Sequence, residues 1–165
     1  MVQGQLFDNP TTLDDARREF WNTLDAGEVA TCSCCDRDGK VRPRNINSQM
    51  ARFLCYLYRH ERLHPGRYVR LRDDLPPEVH KASSDGTYAR LWGLIKAGEG
   101  VGEWRLTGLG RAFVLGQCSL PRTAYVFDKW ARGGFSERRT TIEDALEDHF
   151  DLQELLHGKA GDVPL

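Results

Sequence analysis

Between Asn47 and His64 the apolar residues Met50, Phe53, Leu54, Leu57 and Tyr58 stand at i, i+3, i+4, i+7 and i+8, a spacing that gathers them onto one face of an α-helix. Asn47-Ser48 supplies its cap and His64-Pro65-Gly66 its end, which predicts a helix over 48–62. A single apolar stripe must be covered, and a matching stripe lies downstream. Tyr88, Leu91, Trp92 and Ile95 repeat the spacing, Ser83-Ser84-Asp85 reads as a cap and Gly98 as a stop, so a second helix is expected over 84–97. The segment between, 72–80, holds Pro76-Pro77 and reads as a short irregular element. After the glycine-rich turn 98–102, Glu103-Trp104-Arg105-Leu106 alternates as a strand does, and Thr107 caps a helix over 108–116.

Around this centre, Thr11-Thr12-Leu13-Asp14-Asp15 starts a helix that Gly27 ends. Glu28–Cys32 and Lys40–Ile46 read as two strands of a hairpin turned at Asp38-Gly39. Tyr68–Leu71 and Pro121–Phe127 read as strands, the latter turned by Arg132-Gly133-Gly134. Thr140-Thr141 caps a last helix with the stripe Ile142, Ala145, Leu146, His149 and Phe150. The expected class is α+β, mainly helical. Four segments are anticipated: an arm and helix (1–27), a cysteine-bearing β-hairpin (28–47), a core (48–116), and a strand with an acidic helix (117–165). Residues 1–10 and the end from Gly158 read as loose.

Of the 165 residues, 40% are apolar and 28% charged, enough to fill a core and remain hydrated. No apolar run reaches the roughly 18 residues of a membrane span. Met1–Pro10, with neither a basic start nor an apolar stretch, does not read as a signal peptide. Five cysteines, three of them in Cys32-Ser33-Cys34-Cys35, do not resemble a secreted disulfide framework; a reducing cytoplasm is expected. The net charge of -1 conceals an asymmetry: Arg37–Arg72 carries a net +8 and Glu137–Leu165 a net -5. The middle is thus suited to a polyanion, unless the two stretches meet each other in the fold.

The order helix, short element, helix, glycine-rich turn, Trp104-Arg105-Leu106-Thr107, helix resembles a winged helix-turn-helix. The run Trp104-Arg105-Leu106-Thr107-Gly108-Leu109-Gly110 is similar to the strand, Leu-Thr and glycine signature of MarR- and PadR-type regulators. The resemblance covers 48–116. It implies a DNA-binding transcription regulator, no enzymatic activity, a helix at 84–97 in the major groove and a wing against phosphate. Cys32-Ser33-Cys34-Cys35, followed by basic residues and Asn47-Ser48-Gln49-Met50-Ala51, is similar to small uncharacterised bacteriophage proteins. These begin with a Cys-Pro-Cys-Cys-Gly knuckle, where here Ser33 replaces the proline and Asp36 the glycine. This second resemblance implies a phage-type protein acting in a host cytoplasm.

Four candidate sites follow. Cys32, Cys34 and Cys35 carry a C-x-x-C spacing that suits zinc, with further ligands to be found among Cys55, His60, His64, His80 and Cys118; free thiols on a hairpin are the alternative. A redox pair lacks its usual βαβ setting. Lys40, Arg42 and Arg44 on one strand face, with Arg52, would meet phosphate. On the 84–97 helix, Thr87 and Arg90 would contact bases, and Arg105 would clamp the backbone from the wing. The small face Gly86, Gly93 and Ala97, flanked by Leu94, suits a protein partner equally, such as a host protein or a second copy. The acidic pairs 73–74, 143–144 and 147–148, with His149, form no catalytic motif and read as wet helix faces.

Overall fold

A computed structural model describes residues 12–128 and 130–158, the side chain of Glu78 excepted. The loose stretches expected at either end, residues 1–10 and beyond Gly158, lie outside the described residues. In chain order the elements are α1 (Leu13–Asp25), β1 (Ala30–Thr31), β2 (Asp38–Gly39), β3 (Arg42–Asn45), α2 (Ser48–Leu63), β4 (Val69–Arg70) and α3 (Pro77–Gly86). A 3-10 helix (Thr87–Trp92) follows, then β5 (Ile95–Ala97), β6 (Glu103–Leu106), α4 (Gly108–Val114), β7 (Leu120–Pro121), β8 (Thr123–Phe127), β9 (Trp130–Phe135) and β10 (Arg139–Thr140). The last elements are α5 (Ile142–Leu146), a 3-10 turn (Glu147–His149) and α6 (Leu152–His157). The α+β class holds. No helix among the described residues is long and apolar enough to cross a membrane.

The chain divides into two compact units, Met1–Pro43 with Tyr125–Gly134, and Arg44–Ala124 with Phe135–Leu165. In the first, Thr12 caps α1 by accepting the Asp15 N–H, as the sequence predicts to within one residue. Leu24 and Ala30 are buried, and Phe20, Trp21 and Phe127 pack edge to face at 5.3–5.8 Å. The Arg132 guanidinium lies 4.3 Å over Trp21 and 3.3 Å from Asp25.

The hairpin at 28–47 differs from expectation. β1 pairs only with β2, Ala30 opposite Gly39 and Thr31 opposite Asp38. Asp38-Gly39 is therefore strand, and the turn is Cys32–Asp36. The Thr31 hydroxyl donates to the Asp38 carboxylate at 2.7 Å, and a Cβ on Gly39 would stand 2.7 Å from Phe20 and 2.8 Å from Phe127. The glycine thus serves packing rather than turning. Arg132-Gly133-Gly134 likewise belongs to β9, because the reversal occurs at Asp128 with φ 55°. Gly133 lies where a Cβ would stand 2.7 Å from that of Tyr125.

In the second unit α2 is the centre. Met50, Phe53, Leu54 and Leu57 are buried as their spacing predicts, and so are Ala51 and Cys55, because α3, α4, α5 and α6 all pack on this helix. Asn47 caps it through the Met50 N–H. β4, β6 and β5 form an antiparallel sheet with β6 in the middle. Trp104 stands on that central strand, opposite Val69 and Ala97. Gly98–Gly102 closes the β5–β6 hairpin: Gly98 N–H donates to Glu103 O, Gly100 N–H to the Glu103 carboxylate, and Gly102 takes φ 77°.

The expected helix at 84–97 does not form. Pro77 instead opens α3, a first-turn position that loses no hydrogen bond to its missing N–H. Ser83 and Ser84 lie inside that helix and donate back to His80 O and Lys81 O, so they are not caps. α3 passes into the 3-10 helix at Gly86, where Phe53 approaches so closely that a Cβ would stand 2.3 Å from its ring. Gly93, at φ 69°, ends the 3-10 helix, and Ile95–Ala97 becomes strand. Trp92 and Ile95 of the predicted stripe are buried; Leu94, expected to flank an open face, is also fully buried. With Gly86 under Phe53 and Ala97 on a strand, the small-residue docking face does not exist.

The last helix is likewise broken. Thr141 and Asp144 form a reciprocal capping box at α5. Glu147 then turns with φ 55°, Phe150 is extended, and Asp151 starts α6 by accepting the Glu154 N–H at 2.7 Å. Ile142, Ala145 and Leu146 are buried as expected, whereas His149 is exposed beside Glu147.

Candidate nucleic-acid interface

Two of the expected contact residues meet round one aromatic ring. The Arg44 guanidinium stacks 4.6 Å over Tyr88 and that of Arg90 lies 5.6 Å from the same ring. Arg90 also donates to the carbonyl of Thr87, whose hydroxyl donates to Ser84 O. Thr87, Tyr88 and Arg90 all ride on the 3-10 helix, so their spread follows a six-residue turn rather than a long helical face.

The β5–β6 hairpin carries the second group. Lys96 is directly opposite Arg105 in the register, so two cations share one face of the hairpin. Lys96 is exposed. Arg105 lays its guanidinium 4.8 Å over Tyr68, and its Nε is buried without a hydrogen-bond partner. Sequence reasoning missed Lys96 because it placed 95–97 in a helix. The signal was the Gly93 stop followed by Ile95-Lys96-Ala97, an alternation of apolar and polar residues.

The remaining expected contacts separate. Arg42 is exposed on β3, two residues from Arg44. Lys40 precedes β3, so it does not share the strand face predicted for it. Arg52 stacks 5.0 Å over Phe150 and serves the packing of α2. Among the described residues no carboxylate pairs with Lys40, Arg42, Arg44, Arg52, Lys96 or Arg105. Glu147 of the acidic stretch pairs with Arg122 at 3.9 Å; other ion pairs are Arg70–Glu103 at 2.9 Å and a two-pronged Arg111–Glu61 pair with Nε to Oε2 at 2.9 Å.

The cysteines considered for zinc, Cys32, Cys34 and Cys35, lie in and beside the turn between β1 and β2. Among the described residues no group of three or more His, Cys, Asp or Glu side chains is placed to hold a metal ion. Cys55, one possible fourth donor, is fully buried in α2, and burial pushes its thiol pKa up to about 12. Cys32 instead has its thiol pKa lowered by backbone hydrogen bonds from Cys34, then by the Cys35 thiol and backbone.

A cavity of about 400 Å³ at the end of α2 was not anticipated. Tyr56, Arg59, His60, His64, Asp73 and Asp74 supply its polar lining. The His60 and His64 rings are 4.8 Å apart, one helical turn, and His60 Nδ1 is buried with no partner. Burial, then His64, lower the pKa of His60, against an opposing pull from Asp74. The i, i+4 histidine spacing was visible in the sequence; the cavity, which needs the 73–76 turn beside it, was not. Asp74 also has structural duties: its carboxylate accepts the Arg70 N–H and its carbonyl accepts the Tyr56 hydroxyl.

Comparison with known proteins finds no matching family model, curated protein or solved structure.

Proposed function

We propose that residues 48–116 form a winged-helix module that binds DNA mainly through its phosphates, with the β5–β6 hairpin as the wing and the 3-10 helix in the place of a recognition helix. The element order from α2 to β6 and the central position of β6 support the winged-helix reading. The observation that carries the binding reading is Lys96 opposite Arg105. Like charges facing across a hairpin cost stability unless a polyanion meets them, and no carboxylate of the described residues pairs with either. The Arg44–Tyr88–Arg90 stack adds two fixed guanidinium groups, a shape suited to phosphate or to a guanine edge. A six-residue 3-10 helix offering Thr87 and Arg90 favours weak sequence preference over strict readout, as expected of a modest regulator of the phage type.

A gel shift on duplexes of mixed sequence, across a salt series, tests the proposal. Binding that weakens steeply with salt, and further on Arg44→Ala or Arg90→Ala, supports it; absent or salt-indifferent binding overturns it. The alternative is a protein-interaction module. It is favoured by Trp130, 75% exposed on β9, since large aromatic side chains anchor protein interfaces. A pull-down that loses its partner on Trp130→Ala, with no DNA binding by the intact chain, would select that reading.

A further inference from the structure

The turn between β1 and β2 brings two thiols together. Cys35 N–H donates to Cys32 O at 3.3 Å and Asp36 N–H to the same oxygen at 2.8 Å, while Cys32 N–H donates across the turn to Arg37 O at 2.9 Å. A bond from residue i+3 back to residue i holds their Cα atoms within about 7 Å. That range overlaps the roughly 4.4–6.8 Å which a disulfide spans. The surroundings of the turn, the Cys34 backbone first and then Cys35, lower the pKa of the Cys32 thiol. Cys35 is exposed and Cys32 half-buried, so a small reagent reaches both. A lowered thiol pKa favours the thiolate, the form that attacks disulfides.

We propose that Cys32 and Cys35 form a reversible dithiol–disulfide site whose co-reactant is a low-molecular-weight disulfide such as oxidised glutathione. The Cys32 thiolate attacks one sulfur of the co-reactant, breaking its S–S bond and releasing one thiolate. The deprotonated Cys35 thiol then attacks the Cys32 sulfur of the mixed disulfide, releasing the second thiolate. Two electrons pass from the protein dithiol to the co-reactant, and the two thiol protons end on solvent or on the released thiolates. The i to i+3 turn bond joins Cys32 and Cys35 and leaves Cys34 between them, so the pair Cys32–Cys35 is the one assigned. The proposal does not rest on the DNA-binding reading: the turn, its strands and its cysteines lie in the first unit, outside residues 48–116.

The test treats the folded full-length chain with oxidised glutathione, quenches in acid, and reads intact mass and cross-linked peptides. The wild type should lose two hydrogens with a Cys32–Cys35 link and no retained glutathione, reversibly on adding dithiothreitol, and Cys34→Ser should behave alike. Cys35→Ser should stop at one glutathionyl group on Cys32, formed about tenfold faster than on Cys118. Three results would overturn the proposal: glutathione retained on wild-type Cys34 without a cross-link, a Cys32 no faster than Cys118, or bound zinc in native mass spectra that blocks Cys32 alkylation.

Discussion

Substituting Gly110 by alanine should destabilise the protein, although helix propensity alone predicts the opposite. Gly110 is in the first turn of α4, where alanine is intrinsically better than glycine by up to about 1 kcal/mol. A Cβ there would, however, stand 2.1 Å from the carbonyl oxygen of Leu94 and 3.1 Å from Leu106. The nearest obstacle is backbone, so it cannot swing aside. Nor can Leu94 retreat easily: its carbonyl accepts the Thr107 N–H at 3.0 Å and its side chain is fully buried. Overpacking of this kind costs about 1–3 kcal/mol or more. Set against the propensity gain, a net loss of about 2 kcal/mol is expected. For a chain of this size that lowers Tm by about 4–8 °C. Gly108→Ala is the control, because nothing lies within 4 Å of a Cβ at Gly108. It should leave Tm unchanged or raise it slightly. Thermal unfolding followed by circular dichroism decides the matter, with a urea titration to confirm an unchanged slope. A Gly110→Ala protein as stable as Gly108→Ala would refute the close approach of α4 to Leu94.

Thr107→Ala removes a cap, the Gly110 N–H to Thr107 Oγ1 bond, and a second bond in which that hydroxyl donates to Gly93 O at 2.6 Å. A loss of about 2 kcal/mol is expected in chemical unfolding, most of it restored by Thr107→Ser. His60 holds its proton less firmly folded than unfolded, so the unfolded chain binds more protons below the ordinary histidine value of about 6.5. Its contribution to stability is therefore complete above that pH and declines as pH falls through it towards the depressed folded value; urea midpoints should show this acid-side slope, and His60→Gln should flatten it. Cys55, buried with its thiol pKa raised to about 12, should resist alkylation until the protein unfolds; labelling in the native state would contradict its place in the α2 core.

The periodic parts of the fold were legible in the sequence. The α2 stripe, the Thr107 cap and the β6 strand each rest on interactions between residues close in the chain. The 84–97 helix was misread because its stripe is real but is produced by two elements in turn. Trp92 and Ile95 point inward from a 3-10 helix and a strand, and the breaks come from Gly86 fitting under Phe53 and from Gly93 taking a left-handed conformation. The first is not visible without knowing that Phe53 of α2 lies beside Gly86; the second is the glycine stop that a local reading could have used. Gly39, Gly133 and Gly110 teach the same lesson: each is needed for close approach by a residue distant in sequence, whereas a local reading assigns glycine to turns. Of the candidate interface, Arg44, Arg90 and Arg105 were legible as charges, but their grouping round Tyr88 and opposite Lys96 depends on strand register. The thiols of Cys32 and Cys35 were legible as a spacing, but the turn hydrogen bonds that bring the two residues close were not.

The central claim, that the β5–β6 hairpin grips phosphate, is tested most directly by the salt dependence of duplex binding, read by fluorescence anisotropy for the wild type and a Lys96→Gln/Arg105→Gln variant of equal fold. The wild type should show log K falling linearly with log salt, and the variant a slope shallower by about 1.8, two phosphate contacts at about 0.9 each. A variant with the wild-type slope would mean that the two cations face each other for some reason other than DNA.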